Sequence, residues 1–581
     1  MVSKNDHELL PQKNMVWIRK VFFLFCTFLL ISSGFAQTGR YTRKSISYVD
    51  ILLVTKKGIS LSDRNEKYFL SAIHDGIKIA RFDYNPLPDM VQSSFRRRLS
   101  RRSYSESEIG ELINETIAPE LIKILDVQKE IRARNLVTEV QKNSFIVLKA
   151  KEMGITAAQL QQVMNSSYLY IPFLSHYKLV KGKNKKDVSV SIKGGLIWYH
   201  LIADDNPRLE KIVAIRSEGN ASTEKGKKYS FGGRNLNAED YGFISAAQTL
   251  AMNLQVRTRE IDMFKLQSPI AEVVKRTIRF PLGKAEGIKM DEPFFVGEWV
   301  ETETGKVKFE KSGFVRVGTV SDNIKSKGQL SSAWAVKKGD WVRGMMIIEH
   351  PRLGIDIAVK PRWFTMNIEE GLFASENFLI YFDDYKGGAI GIDFDLQWNI
   401  AHFVKKRQTF LVIGGSAGLV PVRSKIYDSA FEVFFNMPTE SMVAGIISGY
   451  SGFMKKFYLG PFALHGEALI GIQRLSLVDD YNGEDVTISN NSIGLRSNIG
   501  LEYAVNIDCN VGIFAGFNLF PPIDWWTVEY DEDEVDIDNL AGWAAPKIYS
   551  FGPTYGFYIH FSPPTLPFNP VALMRKGMKN F

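Results

Sequence analysis

Only two cysteines, Cys26 and Cys509, occur among 581 residues, which excludes a disulfide scaffold and a cysteine-rich metal site. Long apolar runs are scarce as well. Val21–Ile31 is too short for a comfortable helical membrane span. No phosphate-binding glycine loop, His-Glu-x-x-His or Cys-x-x-Cys motif is present. What is there is ordinary in charge, at 23% charged and 45% hydrophobic residues, so the chain is not wholly disordered. Its length exceeds one ordinary core and implies two to four domains. Forty-six glycines and 12% aromatics lean toward β structure with many turns.

Arg19 and Lys20 precede the apolar run, and Ser32, Ser33, Gly34, Phe35 and Ala36 follow it. A basic stretch, a short apolar stretch and small residues at −3 and −1 predict a signal peptide over 1–36, cut after Ala36. Cys26 lies inside the apolar stretch without a lipidation box. Cleavage lowers the formal charge from +8 by two and leaves Cys509 as the sole cysteine.

From about Leu353 the pattern alternates strictly. In Ile390–Ile400, Ile390, Ile392, Phe394, Leu396, Trp398 and Ile400 share one face, and Gly391, Asp393, Asp395, Gln397 and Asn399 the other. About eight such segments lie near 353–366, 388–401, 406–421, 440–455, 461–477, 488–504, 509–521 and 548–561. Short connections (402–405, 456–460, 505–508) alternate with long ones (367–387, 422–439, 478–487, 522–547). A soluble sandwich also alternates, but rarely puts ionisable residues on one face of most strands and sorts its loops by length. A transmembrane antiparallel barrel over 352–561 does both, and must close because lipid pairs no backbone groups.

Eight strands leave a lumen just filled by side chains. Lys360, Arg362 and Arg496 are expected to pair there with Asp356, Asp393, Asp395, Glu467 and Glu502, because buried charges need partners. The short turns carry Lys405, Lys406, Arg407, Lys455 and Lys456, and share a side with the N-terminal region. The last segment, Gly556-Phe-Tyr-Ile-His-Phe561, resembles the signal that outer-membrane β-barrel proteins of the small eight-stranded type present to the barrel assembly machinery. Gly556, Ile559 and Phe561 match that pattern, although a tail, 562–581, follows it here.

Residues 37–350 are then expected in the periplasm. Val49–Val54 reads as a buried strand and Glu66–Ile79 as a helix. Ser105-Glu-Ser-Glu108 is a capping box opening a helical stretch to about Leu148, with Ile109, Leu112, Ile113, Ile117, Leu121 and Leu125 in helical spacing interrupted near Pro119. Tyr168–Phe173, Val188–Ile202 and Lys211–Ser217 read as strands, followed by a helix capped by Asp240 and running to Val256. Three short β segments, Gly287–Val296, Gly313–Val320 and Val336–Gly344, predict a compact five-strand barrel. This block resembles the C-terminal domain of the flagellar assembly protein T family. The strands and helix of 167–258 resemble the periplasmic α/β domain of curli-secretion lipoproteins. Both resemblances imply envelope assembly or scaffolding and carry over no catalytic residue.

Other motifs favour bland readings. Gly414-Gly-Ser-Ala-Gly418 matches a nucleophile elbow but falls mid-strand, where small residues ease packing. Some eight-stranded outer-membrane barrels modify lipid A with a His, a Ser and an acid near the outer rim. Here His402, His465 and His560 all fall near the opposite end. Asp531–Asp538 lacks the glycine and ligand spacing of a calcium loop and reads as solvated acid beside Trp525 and Trp526. Arg96–Arg102 is a basic cluster for lipid head groups or an acidic partner, or simply a solvated loop.

The expected layout is a signal peptide (1–36), an α/β region with a long helix (37–150), an α/β or α+β domain (151–283), a small all-β domain (284–350), the transmembrane barrel (352–561) and a tail (562–581). The expected role is a non-enzymatic outer-membrane protein whose barrel anchors a periplasmic scaffold in envelope or secretion-system assembly. A channel or export component and a lipid-modifying barrel enzyme are the alternatives. Catalytic residues, metal and cofactors are expected to be none. Expected partners are outer-membrane lipid, the barrel assembly machinery during insertion, and a periplasmic or envelope protein, with nucleic acid excluded by compartment.

Overall fold

The computed structural model describes residues 44–568, apart from 101–102, 135–137, 158–159, 161–163, 165, 183–186, 203–207, 304–306, 327, 375–377, 428–438, 482, 531–532 and 537–543. The expected signal peptide, part of the acidic run 531–538, two arginines of the cluster 96–102 and the end of the tail lie outside the described residues.

The first sheet joins β1 (Lys44–Tyr48), the short β2 (Leu53–Val54), β3 (Phe82–Pro86), β4 (Ser166–Lys181), β5 (Asp187–Ile202) and β6 (Arg208–Glu224). Its order is β3-β1-β4-β5-β6, with β2 beside β4. β1 pairs in parallel with β3 and β4, so one sheet crosses the domain boundary expected at 150. Of the strand expected over 49–54 only Leu53–Val54 forms; before it the Asp50 N–H donates to the Gln92 side chain (2.9 Å).

Helices cover both faces. Helix α1 (Asp63–Gly76) begins earlier than Glu66 because Ser62 caps it, its Oγ accepting from the Asn65 N–H (3.2 Å). Next come α2 (Asp89–Arg98) and α3 (Glu106–Ala133). The box opening α3 is reciprocal: the Ser105 N–H donates to Glu108 Oε2 (2.7 Å) and the Glu108 N–H to Ser105 Oγ (3.3 Å).

Pro119 does not interrupt α3. Ile109, Ile113, Ile117, Leu121 and Ile124 are buried against Val91, Phe95, Leu169 and Ile171, and that packing outweighs one lost hydrogen bond. Leu112 is partly buried on the same cluster, and the Leu125 side chain is outside the described residues. The chain breaks instead beyond Ala133, and α4 (Glu139–Glu152) starts anew with its own Thr138–Gln141 box.

On the opposite face α5 (Ala238–Glu260) packs on β5, β6 and α1, burying Phe243, Ala247, Leu250 and Leu254. Its cap is Asn237 rather than Asp240: Asn237 Oδ1 accepts from the Asp240 N–H (2.7 Å), while the Asp240 carboxylate pairs with Arg64 of α1 (3.2 Å).

After the hairpin β7 (Tyr229–Phe231) and β8 (Arg234–Leu236) comes a second sheet of seven strands. Its members are β9 (Gln267–Pro269), β10 (Glu272–Val274), β11 (Thr277–Phe280), β12 (Pro293–Glu301), β13 (Val307–Thr319), β14 (Ser331–Lys337) and β15 (Met346–Glu349). The order is β10-β11-β14-β13-β12-β15-β9. It replaces the expected five-strand barrel and begins before 284, because β9 pairs with β15 and β11 with β14.

The rest is β16 (Ile355–Glu369), β17 (Gly371–Ala374), β18 (Leu379–Phe382), β19 (Tyr385–Asn399), β20 (Thr409–Tyr427), β21 (Glu440–Leu459), β22 (Phe462–Tyr481), β23 (Glu484–Ala504), β24 (Cys509–Phe520), β25 (Trp526–Tyr530), β26 (Asp533–Val535) and β27 (Lys547–Phe561). Antiparallel pairing runs β16-β19-β20-β21-β22-β23-β24-β27 and returns to β16, a closed ring. β18 pairs with β20, and β25 with β23, beyond that ring. The long loop expected at 478–487 is instead mostly strand, since Val478 to Tyr481 pair with Thr487 to Glu484.

Candidate functional site in the barrel interior and at its mouth

Side chains along each ring strand alternate between interior and exterior. Outward are Ile390, Ile392, Phe394, Ile447, Phe453, Ile470, Ile499, Ile513, Tyr555, Phe557, Ile559 and Phe561, all exposed. Inward are the eight charged residues singled out in the sequence, and every one of them is buried.

They fall into three layers. Nearest the N-terminal domains, His560 Nε2 lies 2.9 Å from Asp356 Oδ2, Lys456 Nζ 2.8 Å from Glu502 Oε1, and His465 Nδ1 3.2 Å from the same Glu502 oxygen. Asn510 also donates to Glu502 Oε2 (2.8 Å). In the next layer, Lys360 Nζ bridges Asp395 (2.6 Å) and Glu467 (2.6 Å). The Tyr450 hydroxyl donates to Asp395 Oδ1 (2.6 Å) and Asn498 Nδ2 to Glu467 Oε2 (3.1 Å). In the third, Arg362 Nε and Arg496 Nη1 grip the two oxygens of Asp393 (2.8 and 3.0 Å).

Lys456, His465, His560, Tyr450 and Asn498 are therefore members that the sequence reading missed. Lys456, expected in a short turn, lies on β21, which continues to Leu459 and places it inward in step with Tyr450 and Met454. His465 and His560 have the same parity as their strand neighbours Glu467 and Tyr558, and that was the available signal.

Above the charges the interior turns apolar. Phe364, Met366, Ile368, Phe373, Ile380, Val420, Ala444, Leu475, Val486, Val528 and Ile548 form one buried cluster from ring and loop strands. Gly414 lies within β20 at the charged level. A Cβ there would meet the Tyr450 ring at 2.5 Å, so the glycine serves close packing and not a nucleophile elbow. Gly556 is similarly constrained: a Cβ would come within 2.2 Å of Pro361 O on the neighbouring strand. Ile559 and Phe561 follow it on the outer face.

The seven-stranded sheet covers the other end and touches all three short turns. Asp291, at φ 68°, accepts from Asn399 Nδ2 (3.1 Å) and the Gln408 N–H (2.5 Å). Burial pushes the Asp291 carboxyl up, against the pull of these donors. Arg276 lies against Gly460, and Arg316 over the Tyr458 ring, 5.8 Å from its centroid. His350 Nε2 and Arg352 Nη2 each lie 2.8 Å from Asp508 Oδ1. Phe314 and Val336 pack on Ala504 and Ile507. Burial and the neighbouring Arg316 charge lower the Arg352 guanidinium to about 10.

The two N-terminal sheets are joined by a second buried network. Arg81 Nη2 donates to Glu349 Oε2 (2.7 Å) and to Phe264 O (2.9 Å), and Arg259 Nε donates to Glu349 Oε1 (2.7 Å). Burial alone would raise the Glu349 carboxyl; Arg259 and Arg81 outweigh it and hold it below its ordinary value. Beyond β27 the tail returns to the first sheet. The Leu566 N–H donates to Asn253 Oδ1 (3.1 Å), the Asn220 N–H donates to Pro567 O (3.0 Å), and Leu566 is buried.

No protein-family model matches the chain, and no curated protein matches it. Among solved structures, Neisserial surface protein A is similar at 13% identity and a TM-score of 0.21, over 37% of this chain and 100% of that one. The outer membrane protein OprG from Pseudomonas aeruginosa is similar at 10% identity and a TM-score of 0.24, over 37% of this chain and 98% of that one. Ail, the attachment invasion locus protein of Yersinia pestis, is similar at 9% identity and a TM-score of 0.20, over 36% of this chain and 99% of that one.

Proposed function

We propose that this chain is a non-enzymatic outer-membrane protein whose barrel anchors residues 37–350 as a periplasmic scaffold in envelope or secretion-system assembly. The observation that carries the reading is the inverted ring, apolar outward and charged inward. Water would make such an exterior costly and lipid makes it favourable. Scaffolding rather than transport is supported by what fills the ring. The apolar cluster lies across one half of the interior and the seven-stranded sheet sits on the opposite mouth. A channel needs both to move. A lipid-modifying enzyme needs a histidine near the outer rim, whereas His465 and His560 are engaged with carboxylates at the mouth end.

Heating in detergent tests the anchor: a closed membrane barrel changes its electrophoretic mobility only after boiling, and recovery in the soluble periplasm would refute it. Photo-crosslinkers placed at Lys228 and Trp299, and separately at Glu484 and Glu534, test the scaffold. Protein crosslinks are expected from the first pair, and crosslinks from the second pair alone would refute it.

A further inference from the structure

The turn between β19 and β20 combines features that the barrel wall does not need. Ala401 is buried and anchors a short helical turn, Ala401–Val404, while residues 402–407 are all exposed. Phe403 is 67% exposed and Val404 45%. Lys405 then takes φ 55° and redirects the chain, so that Lys406 and Arg407 follow immediately. Lys455 of the adjacent strand is opposite Thr409, and its Nζ donates to the Arg407 carbonyl. The Arg407 guanidinium lies against Gly318 of β13, while Lys405 and Lys406 stand exposed. Asp291 accepts from Asn399 and from the Gln408 N–H beside the turn. Phe453 is exposed on the ring above Lys455, and Phe457, Leu459 and Phe462 are exposed around the neighbouring short turn.

We infer that this rim, Phe403 to Arg407 with Lys455, binds the anionic headgroups of phospholipids in the inner leaflet. The inference rests on the membrane reading above. Apolar side chains that continue the belt, followed at once by clustered cations, match the step from acyl chains to headgroups. An acidic protein surface would satisfy the cations but leave Phe403 and Val404 in water. A headgroup above an acyl chain satisfies both.

The test uses the full chain in bilayer discs of mixed phosphatidylglycerol and phosphatidylcholine, with the lipids that stay bound counted by native mass spectrometry. Phosphatidylglycerol is expected to be enriched on the wild type. The Lys405→Gln, Lys406→Gln, Arg407→Gln triple variant should lose that enrichment, by about fivefold per charge removed. Its heat-modifiable mobility should stay as in the wild type, which excludes misfolding. No enrichment on the wild type, or undiminished enrichment on the folded variant, overturns the inference while leaving the membrane reading intact. Failure of the wild type to enter discs of pure phosphatidylcholine overturns the membrane reading, and the inference with it.

Discussion

Lys360 and Glu467 meet across the barrel. Lys360 Nζ donates to both carboxylate oxygens of Glu467, at 2.6 and 2.8 Å, although β16 and β22 stand on opposite sides of the ring. With Asp395 on the same ammonium, the pair forms a strut that holds the wall at a fixed width. Lys360→Met should leave two carboxylates without their cation and cost about 3–5 kcal/mol. The temperature at which electrophoretic mobility shifts in detergent would fall accordingly. An unchanged temperature would mean that water or Asn498 satisfies the carboxylates without the lysine.

The exterior should fail for the opposite reason. Ile392→Asp puts a carboxylate on the outer face, at a cost on the scale of about 2–4 kcal/mol for Arg or Lys at mid-bilayer and somewhat less for Asp. Ile392→Leu should be neutral. Assembly in the outer membrane is the readout. Tolerance of Asp at Ile390, Ile392 and Phe394 alike would reverse the inside-outside assignment.

The junction between the two N-terminal sheets should be acid-labile. The Glu349 carboxyl is held below its ordinary value by Arg259 and Arg81. Its contribution is therefore present above the unfolded value of about 4.3 and is lost as pH falls through the folded value. Glu349→Gln should remove that part of the acid dependence and destabilise the junction by about 3–5 kcal/mol at neutral pH. Denaturant titrations of both proteins at several pH values would reveal it, and parallel pH profiles would contradict it.

Truncation after Ser562 should free the edge of the first sheet. Asn253 would lose its Leu566 partners, and β6 the contact at Asn220. Faster hydrogen exchange in β6 and α5 is expected, with the heat-shift temperature of the barrel unchanged. Unaltered exchange would mean that the tail contributes nothing to holding the sheet.

The ring was legible in the sequence because a barrel wall must alternate at every residue, and a period of two survives any choice of apolar or polar side chain. The charged interior followed from the same parity, which placed Asp393 and Asp395 opposite Ile392 and Phe394. Strand ends were less legible. Acidic residues around Asp479 and Asp480 read as loop, yet they pair in register with Val486 and Asp485. The mixed sheet was hidden for a different reason. Pairing of Ile46 with Tyr84 and Tyr168 joins distant segments, and no local pattern encodes it. Pro119 misled because propensity is weaker than the packing of a fully apolar helix face. The cap on the mouth was equally invisible, since Asp291, Arg316 and His350 carry no motif and acquire meaning only from the turns they meet.

The most direct measurement is cysteine accessibility in intact cells, on a chain with Cys509→Ser. Glu484→Cys lies at the distal hairpin and Lys228→Cys in the exposed connection between β6 and β7. A membrane-impermeant maleimide should label position 484 in intact cells, and position 228 only after the outer membrane is permeabilised. Equal labelling of both positions in intact cells, or labelling of 228 alone, would contradict a barrel that spans the outer membrane with its scaffold inside.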